Sequence, residues 1–313
     1  MIRASIDLGT NTCLLLIADW DEQRQEVSRV IEDHAAIVRL GQGVDSTREL
    51  NPDAMARALS CLRDYADRLR AAGGDPARAV CVGTSSSRDA RNGGEFYERV
   101  LRETGFRFRV ISGEDEAKFT FLGALPPESS GVTASSRLND TAVIDIGGGS
   151  TELICGSGDG AEGQSIDVGS VRFTERYFKT DPVTDPEFWA CQAAIDQAIQ
   201  SAAGWRKRHP AIQRLVGVAG TATTLAAWHL ELPKFDAVRI DQCVLTRGDV
   251  HRMVEELKWR TVEERTRLAG IERGRADVLL AGALILWRTM ELFGFAECQV
   301  STRGLRFGIL RMY

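Results

Sequence analysis

Ile6-Asp7-Leu8-Gly9-Thr10-Asn11-Thr12 and Ile144-Asp145-Ile146-Gly147-Gly148-Gly149-Ser150 match position by position, 138 residues apart. In each copy apolar residues lead to an Asp, and a tight turn rich in Gly, Asn and hydroxyls follows. A second apolar run then returns, Cys13 to Ala18 in one copy and Leu153 to Cys155 in the other. This is the pattern of a β-hairpin with an acid at its tip. A hairpin repeated in a chain that otherwise alternates strands and helices predicts α/β architecture, two lobes that are each a sheet flanked by helices. The length of 313 residues agrees, because domains cluster at roughly 100–150 residues and this chain is right for two. Two lobes with a central cleft are expected.

Between the two copies, Asn51-Pro52 reads as N-cap and first residue of a helix. Its apolar residues Met55, Leu59, Leu62, Ala66 and Leu69 recur at helical spacing until Gly73-Gly74 stops it. Ala79 to Val82 reads as a short buried strand. Phe106, Phe108 and Val110 alternate with Arg107 and Arg109 as a half-buried strand, after which Ser112 caps a helix that carries Glu116 in its first turn. The Pro, Ser and Gly-rich stretch from Pro126 to Asn139 reads as the linker, which sets lobes at residues 1–125 and 126–300. Beyond it, strands are expected near Leu153, Ile166 and Val216, and helices over Phe188 to Trp205, Val250 to Leu257, Ala276 to Phe293 and Leu305 to Leu310.

With 43% hydrophobic and 27% charged residues the composition is that of a globular protein with apolar mass for two cores. A formal net charge of -5 argues against nucleic acid or an anionic membrane as partner, so a polyanionic substrate would need a local basic lining. The run Arg206-Lys207-Arg208-His209 could supply one, although a charged run at a helix end is commonly just solvated. Seven scattered cysteines with no CxxC pair read as buried thiols of a reducing compartment. No signal segment opens the chain and no apolar run reaches the ~20 residues a bilayer span needs, so a cytoplasmic protein is expected.

Convergent backbone N–H groups hold a phosphoryl group well, and Gly-rich turns supply them because no Cβ blocks the approach. One such turn would be a weak signal, since Gly clusters commonly only close hairpins. Two matched copies, each led by an acid able to hold a hydrated Mg²⁺, are a stronger one. No His lies near any motif and no Ser-His or Cys-His pair is suggested, so attack by water aided by a carboxylate is the plausible chemistry.

Asp7 to Thr12 and Asp145 to Leu153 resemble the two phosphate-binding motifs of the actin, sugar kinase and Hsp70 superfamily, whose lobes are ribonuclease H-like. Gly83-Thr84-Ser85-Ser86-Ser87-Arg88-Asp89-Ala90, Ile111-Ser112-Gly113-Glu114-Asp115-Glu116-Ala117 and Gly217-Val218-Ala219-Gly220-Thr221 are similar to signatures of the exopolyphosphatase / guanosine pentaphosphate phosphatase family. Five motifs in order cover essentially the whole chain. The resemblance implies the following site. Glu116 matches the catalytic glutamate that orients and deprotonates the attacking water. Asp145 and Glu152 match the acids that bind Mg²⁺ or Mn²⁺, with Asp7 an outer-shell partner. Arg88 matches a phosphate-contacting arginine. Gly9, Thr10, Asn11, Thr12, Gly147, Gly148, Gly149, Ser150, Thr151, Gly220 and Thr221 would line the phosphate site. It also implies a C-terminal helix at about 301–313 packing back on the first lobe, a homodimer as a possible assembly, and a short form of the family. On spacing alone, Glu116 reads equally as an acid that suits the helix dipole, Arg88 as a surface ion-pair partner of Asp89, and an Asp in a Gly-rich turn as a cap of backbone amides.

Two departures stand out. The family usually carries an acid where Thr302 stands and another where Phe307 stands, although Gly304, Leu305 and Arg306 match. The implied reaction is release of terminal orthophosphate from inorganic polyphosphate, with hydrolysis of the 5′ γ-phosphate of guanosine pentaphosphate as the alternative. A sugar or acetate kinase type phosphotransferase would share the two hairpins but leave the Arg88 and Glu116 segments unexplained. A nucleotide-switched filament or chaperone module would share only the fold.

Overall fold

The computed structural model describes residues 1–125, 140–157 and 160–311. The linker expected over Pro126–Asn139 lies outside the described residues. The chain divides into two compact units, Met1–Pro127 with Leu305–Tyr313, and Glu128–Gly304.

The sheet of the first unit is built on β1 (Ile2–Leu8), β2 (Thr12–Asp21), β3 (Glu26–Ile37), β4 (Val80–Gly83) and β5 (Phe108–Val110), in the order β3-β2-β1-β4-β5. β1, β2 and β3 form an antiparallel meander, while β4 and β5 run parallel to β1. Central strands covered on both faces read as near-continuous apolar runs, and Ile6, Leu8, Leu15, Leu16 and Ile17 are accordingly all fully buried. Helix α1 (Val44–Thr47) leads to α2 (Pro52–Ala71). Asn51 caps α2 by accepting from the Asp53 amide at 2.8 Å, and Ala58, Leu59, Leu62, Tyr65, Ala66 and Leu69 bury its inner face. The helix stops where Gly73 turns to φ 84 and the Gly74 amide returns to the Leu69 carbonyl.

α3 (Ser85–Asp89) follows β4 directly, then α4 (Gly93–Thr104), β5 and α5 (Gly113–Ala124). β5 is shorter than the alternation of Phe106, Phe108 and Val110 suggests. α4 ends with Gly105 at φ 84, and the Phe106 amide donates to Thr104 Oγ1, so Phe106 cannot start the ladder. Val110 is exposed on this edge strand. The C-terminal helix Leu305–Ile309 packs on α5 so closely that a Cβ at Gly308 would overlap the Phe119 carbonyl. Leu305 and Ile309 cluster with Val82, Ile111 and Phe119, and Phe307 with Leu16, Ala18, Trp20 and Leu310. Burial on this scale anchors both ends of the segment that carries the α5 acids.

The second unit repeats the plan with β6 (Thr141–Ile146), β7 (Thr151–Ser157), β8 (Gly160–Ile166), β9 (Arg214–Val218), β10 (Val244–Thr246) and β11 (Glu297–Val300). Their order is β10-β11-β9-β6-β7-β8. β6-β7-β8 is again an antiparallel meander and β9 again runs parallel to the first strand of its set. The helix expected over Phe188 to Trp205 breaks at Ala202 into Asp185–Ser201 and Ala203–Arg208. Helix Leu279–Phe293 is the spine of this core, with Leu279 to Leu286 buried without interruption. No helix among the described residues is long and apolar enough to cross a membrane. The seven cysteines are free thiols, five of them buried.

Candidate active site

The first turn is held from behind. The Gly9 amide closes it on the Thr12 carbonyl at 2.9 Å, the Thr10 carbonyl accepts from the Gly41 amide, and the Asn11 carbonyl accepts from those of Val38 and Arg39. In a trans peptide the N–H points opposite to the preceding C=O, so the Asn11 and Thr12 amides face away from the 38–41 segment. The second turn has the same logic. The Gly147 amide closes on the Ser150 carbonyl at 3.0 Å, the Ser170 amide donates to Gly147, the Val171 and Arg172 amides donate to Gly148, and Arg172 Nε donates to Gly149 at 2.7 Å. The amides of Gly148, Gly149 and Ser150 therefore point away from helix Ser170–Tyr177. A fan of backbone donors facing one way suits phosphate oxygens.

Asp145, next to last in β6, lies directly opposite Glu152 on β7, and Glu152 lies opposite Ser165 on β8, which makes one row across three strands. Asp145 and Glu152 are both buried, and Glu152 Oε1 accepts from Ser150 Oγ and Ser165 Oγ, each at 2.7 Å. Two carboxylates facing each other across a strand pair repel, so such a row needs a compensating cation or donors. Oxygen-only donors in a pair fit Mg²⁺, which takes one or two carboxylates and keeps waters for its remaining positions. No group of three or more His, Cys, Asp or Glu able to hold a metal occurs among the described residues. Asp7 occupies the equivalent place near the end of β1, where its opposite number on β2 is Leu14.

Glu116 and Arg88 are brought together. Ser112 Oγ accepts from the Asp115 amide to cap α5, and Glu116 stands in the first turn with its amide bonded to the Ser112 carbonyl. Glu114 is exposed but Glu116 is buried, only 8% accessible. Arg88 Nη1 donates to Glu116 Oε2 at 2.7 Å and to the Ile111 carbonyl at 3.0 Å. Burial pushes the Glu116 carboxyl above its ordinary range, and the Arg88 guanidinium pulls it part of the way back. Glu116 is thus not a solvated helix-start acid, and Arg88 pairs with it rather than with Asp89. Asp89 instead faces Arg48 at 3.8 Å.

Gly220 and Thr221 open helix Ala219–His229 after β9, with Thr221 Oγ1 reaching the Ile146 carbonyl at 3.4 Å. The Arg275 guanidinium fills the space a Gly220 Cβ would take. Sequence reasoning missed Arg275, as it missed Ser165 and Arg172. Ser165 alone left a readable signal, since fixing the β7-β8 register places it beside Glu152. At the two departures, the Thr302 amide donates to Asp241 Oδ1 at 3.0 Å, and Phe307 fills an apolar cluster. The Arg206 to His209 run is largely taken up internally, with Arg206 on the His209 and Ile212 carbonyls and Arg208 on Glu162.

Two ribonuclease H-like sheets, each with an acid near the end of its first strand and a donor-rich turn after it, define a phosphate-handling protein of the actin-like fold. The Ppx/GppA phosphatase family model matches residues 16–312, and the chain belongs to that family. Exopolyphosphatase 2 of Mycobacterium tuberculosis is 34% identical over 317 residues, covering 98% of this chain and 96% of that protein. A crystal structure of an exopolyphosphatase-like protein matches with TM-score 0.89 at 30% identity, covering 100% of this chain and 97% of that one. The Aquifex aeolicus PPX-GPPA enzyme matches with TM-score 0.79 at 32% identity, covering 100% and 99% of the two chains. The chain is a phosphoanhydride hydrolase.

Proposed function

We propose that the protein is an exopolyphosphatase that releases terminal orthophosphate from inorganic polyphosphate by attack of water, with Glu116 as general base. The observation that carries the reading is the buried Glu116 carboxylate in contact with Arg88 at 2.7 Å. A carboxylate raised by burial is a stronger base than a solvated one, and an adjoining guanidinium keeps it ionised. Arg88 has five N–H donors in a planar fork, so the group that steadies the base can also meet phosphoryl oxygens. The outward amides of each turn suit phosphoryl oxygens. Asp145 and Glu152 would hold Mg²⁺ or Mn²⁺, which when bound neutralises phosphate charge. That relatives are named exopolyphosphatase supports the polymer as substrate.

Glu116→Gln tests the reading, because the amide keeps size and hydrogen-bonding shape but cannot take a proton from water. General-base catalysis contributes ~10²–10⁴-fold, and turnover should fall by about that much. Glu114→Gln and Asp115→Asn in the same turn should stay near wild type. Assays on short and long polyphosphate, guanosine pentaphosphate and ATP, run side by side without an acceptor, identify the substrate. Retention of most turnover in Glu116→Gln would sink the base assignment.

A further inference from the structure

Tyr97 belongs to none of the motifs, yet it touches both segments that present the Arg88 and Glu116 pair. Its hydroxyl hydrogen-bonds to Ser87 Oγ, the residue before Arg88 on α3. Its ring stacks on Phe108 of β5, with centroids 5.0 Å apart and planes 22° from parallel. β5 leads straight to Ile111, whose amide donates to the Gly83 carbonyl and whose own carbonyl receives Arg88 Nη1. Ser112 and the first turn of α5 follow. At the other end, β4 stops at Gly83, where a Cβ would overlap the Tyr97 hydroxyl and lie 2.8 Å from Ser87 Oγ. The missing side chain at Gly83 is what admits the phenol. One side chain thereby fixes the height of α3 against β5.

We propose that Tyr97 is a positioning residue for the water-activating step: through Ser87 on one side and Phe108 on the other it sets the Arg88 guanidinium against Glu116. The inference rests on the reading of Glu116 as the base. Burial holds the Tyr97 phenol above its usual range, so it remains a neutral hydrogen-bonding partner through the whole interval in which a carboxylate titrates. Loss of the Tyr97 to Ser87 bond lets Arg88 drift from Glu116. The carboxyl, already raised by burial, then rises further, and less of it is ionised at a given pH.

The experiment is a cycle of Tyr97→Phe, Ser87→Ala and the double variant, read by the pH dependence of kcat/KM and by Tm. Each single variant should move the acid limb upward by roughly half a unit to one unit, a fraction of the 1–3 units an adjacent opposite charge is worth. The double variant should match either single one, because both remove the same bond. Ser87→Ala leaves the stacked ring untouched, so it tests the bond even if Tyr97→Phe loosens the fold. A lowered Tm with an unmoved limb in both singles would mean a merely structural tyrosine and overturn the proposal. Glu116→Gln measured alongside separates the two readings. Retained turnover there overturns the base assignment, whereas lost turnover there with unmoved limbs in the tyrosine and serine variants overturns only the role of Tyr97.

Discussion

Arg88→Ala removes the cation that stands 2.7 Å from Glu116 Oε2 and leaves the carboxylate in its buried setting. Two consequences are separable by pH. An adjacent opposite charge lowers a carboxylate pKa by about 1–3 units, so its loss should raise Glu116 by roughly that amount beyond the elevation that burial already imposes. The base works as the carboxylate. A raised value therefore means that activity is lost at a higher pH as the solution is acidified, and the acid limb of kcat/KM moves up by ~1–3 units. Above that limb a second deficit should remain, because a charge-assisted contact to phosphate is worth about 1.5–3 kcal/mol, or roughly one to two decades of rate. The assay is phosphate release at subsaturating polyphosphate between pH 5 and pH 9, beside Arg91→Ala, whose side chain lies on the exposed surface. Parallel profiles with the same limb in wild type and Arg88→Ala would refute the coupling of this pair. Equal losses in Arg88→Ala and Arg91→Ala would refute the phosphate contact.

Asp145→Asn should raise the Mg²⁺ concentration needed for half-maximal rate and weaken Mg²⁺ binding in calorimetry with Tm little changed; full wild-type activity in excess chelator would contradict a metal at this acid. Glu152→Ala strips the acceptor from the buried Ser150 hydroxyl, which costs about 1–3 kcal/mol, but also relieves the repulsion with Asp145, so chemical denaturation should show a loss no larger than that; a greater loss would mean that the two carboxylates do not repel. Asp7→Asn should affect metal binding less than Asp145→Asn, because Asp7 faces Leu14 across its hairpin where Asp145 faces a second carboxylate; equal effects would remove the distinction. Phe307→Ala should destabilise by about 3–5 kcal/mol in urea unfolding, since the ring fills a cluster with Leu16, Trp20 and Leu310.

The hairpins and their acids were legible because period-two alternation and Gly-rich turns are local signals, and Asp7 and Asp145 fall near the ends of β1 and β6 as the repeated pattern requires. The cap at Ser112 was legible for the same reason. What was hidden depends on contacts between distant segments. Nothing local in Arg88 says that it meets a carboxylate 28 residues later rather than Asp89 beside it. Nothing local in Glu116 distinguishes it from Glu114, because burial comes from the way α5 packs, with the C-terminal helix laid against it at Gly308. β5 began late because a threonine hydroxyl captured one amide, a choice that propensity does not encode. Arg275 and Tyr97 left no motif, since each acts by filling the space over a glycine elsewhere in the chain.

The position-by-position echo also shows how one local design serves two tasks. Asp7 and Asp145 are each next to last in a first strand, and the residue seven places on is the one set opposite in the register, Leu14 in one hairpin and Glu152 in the other. The Leu turns the pair into an acid beside an apolar neighbour, whereas the Glu makes a carboxylate row that Ser150 and Ser165 hydroxyls steady from one side. Both turns close on themselves, Gly9 on Thr12 and Gly147 on Ser150, and leave amides facing outward. One difference between the copies is the side chain set opposite the acid. The second hairpin, with its facing carboxylates, is the better suited of the two to a divalent cation, and in the first unit burial and a guanidinium act on the Glu116 carboxyl in opposite directions.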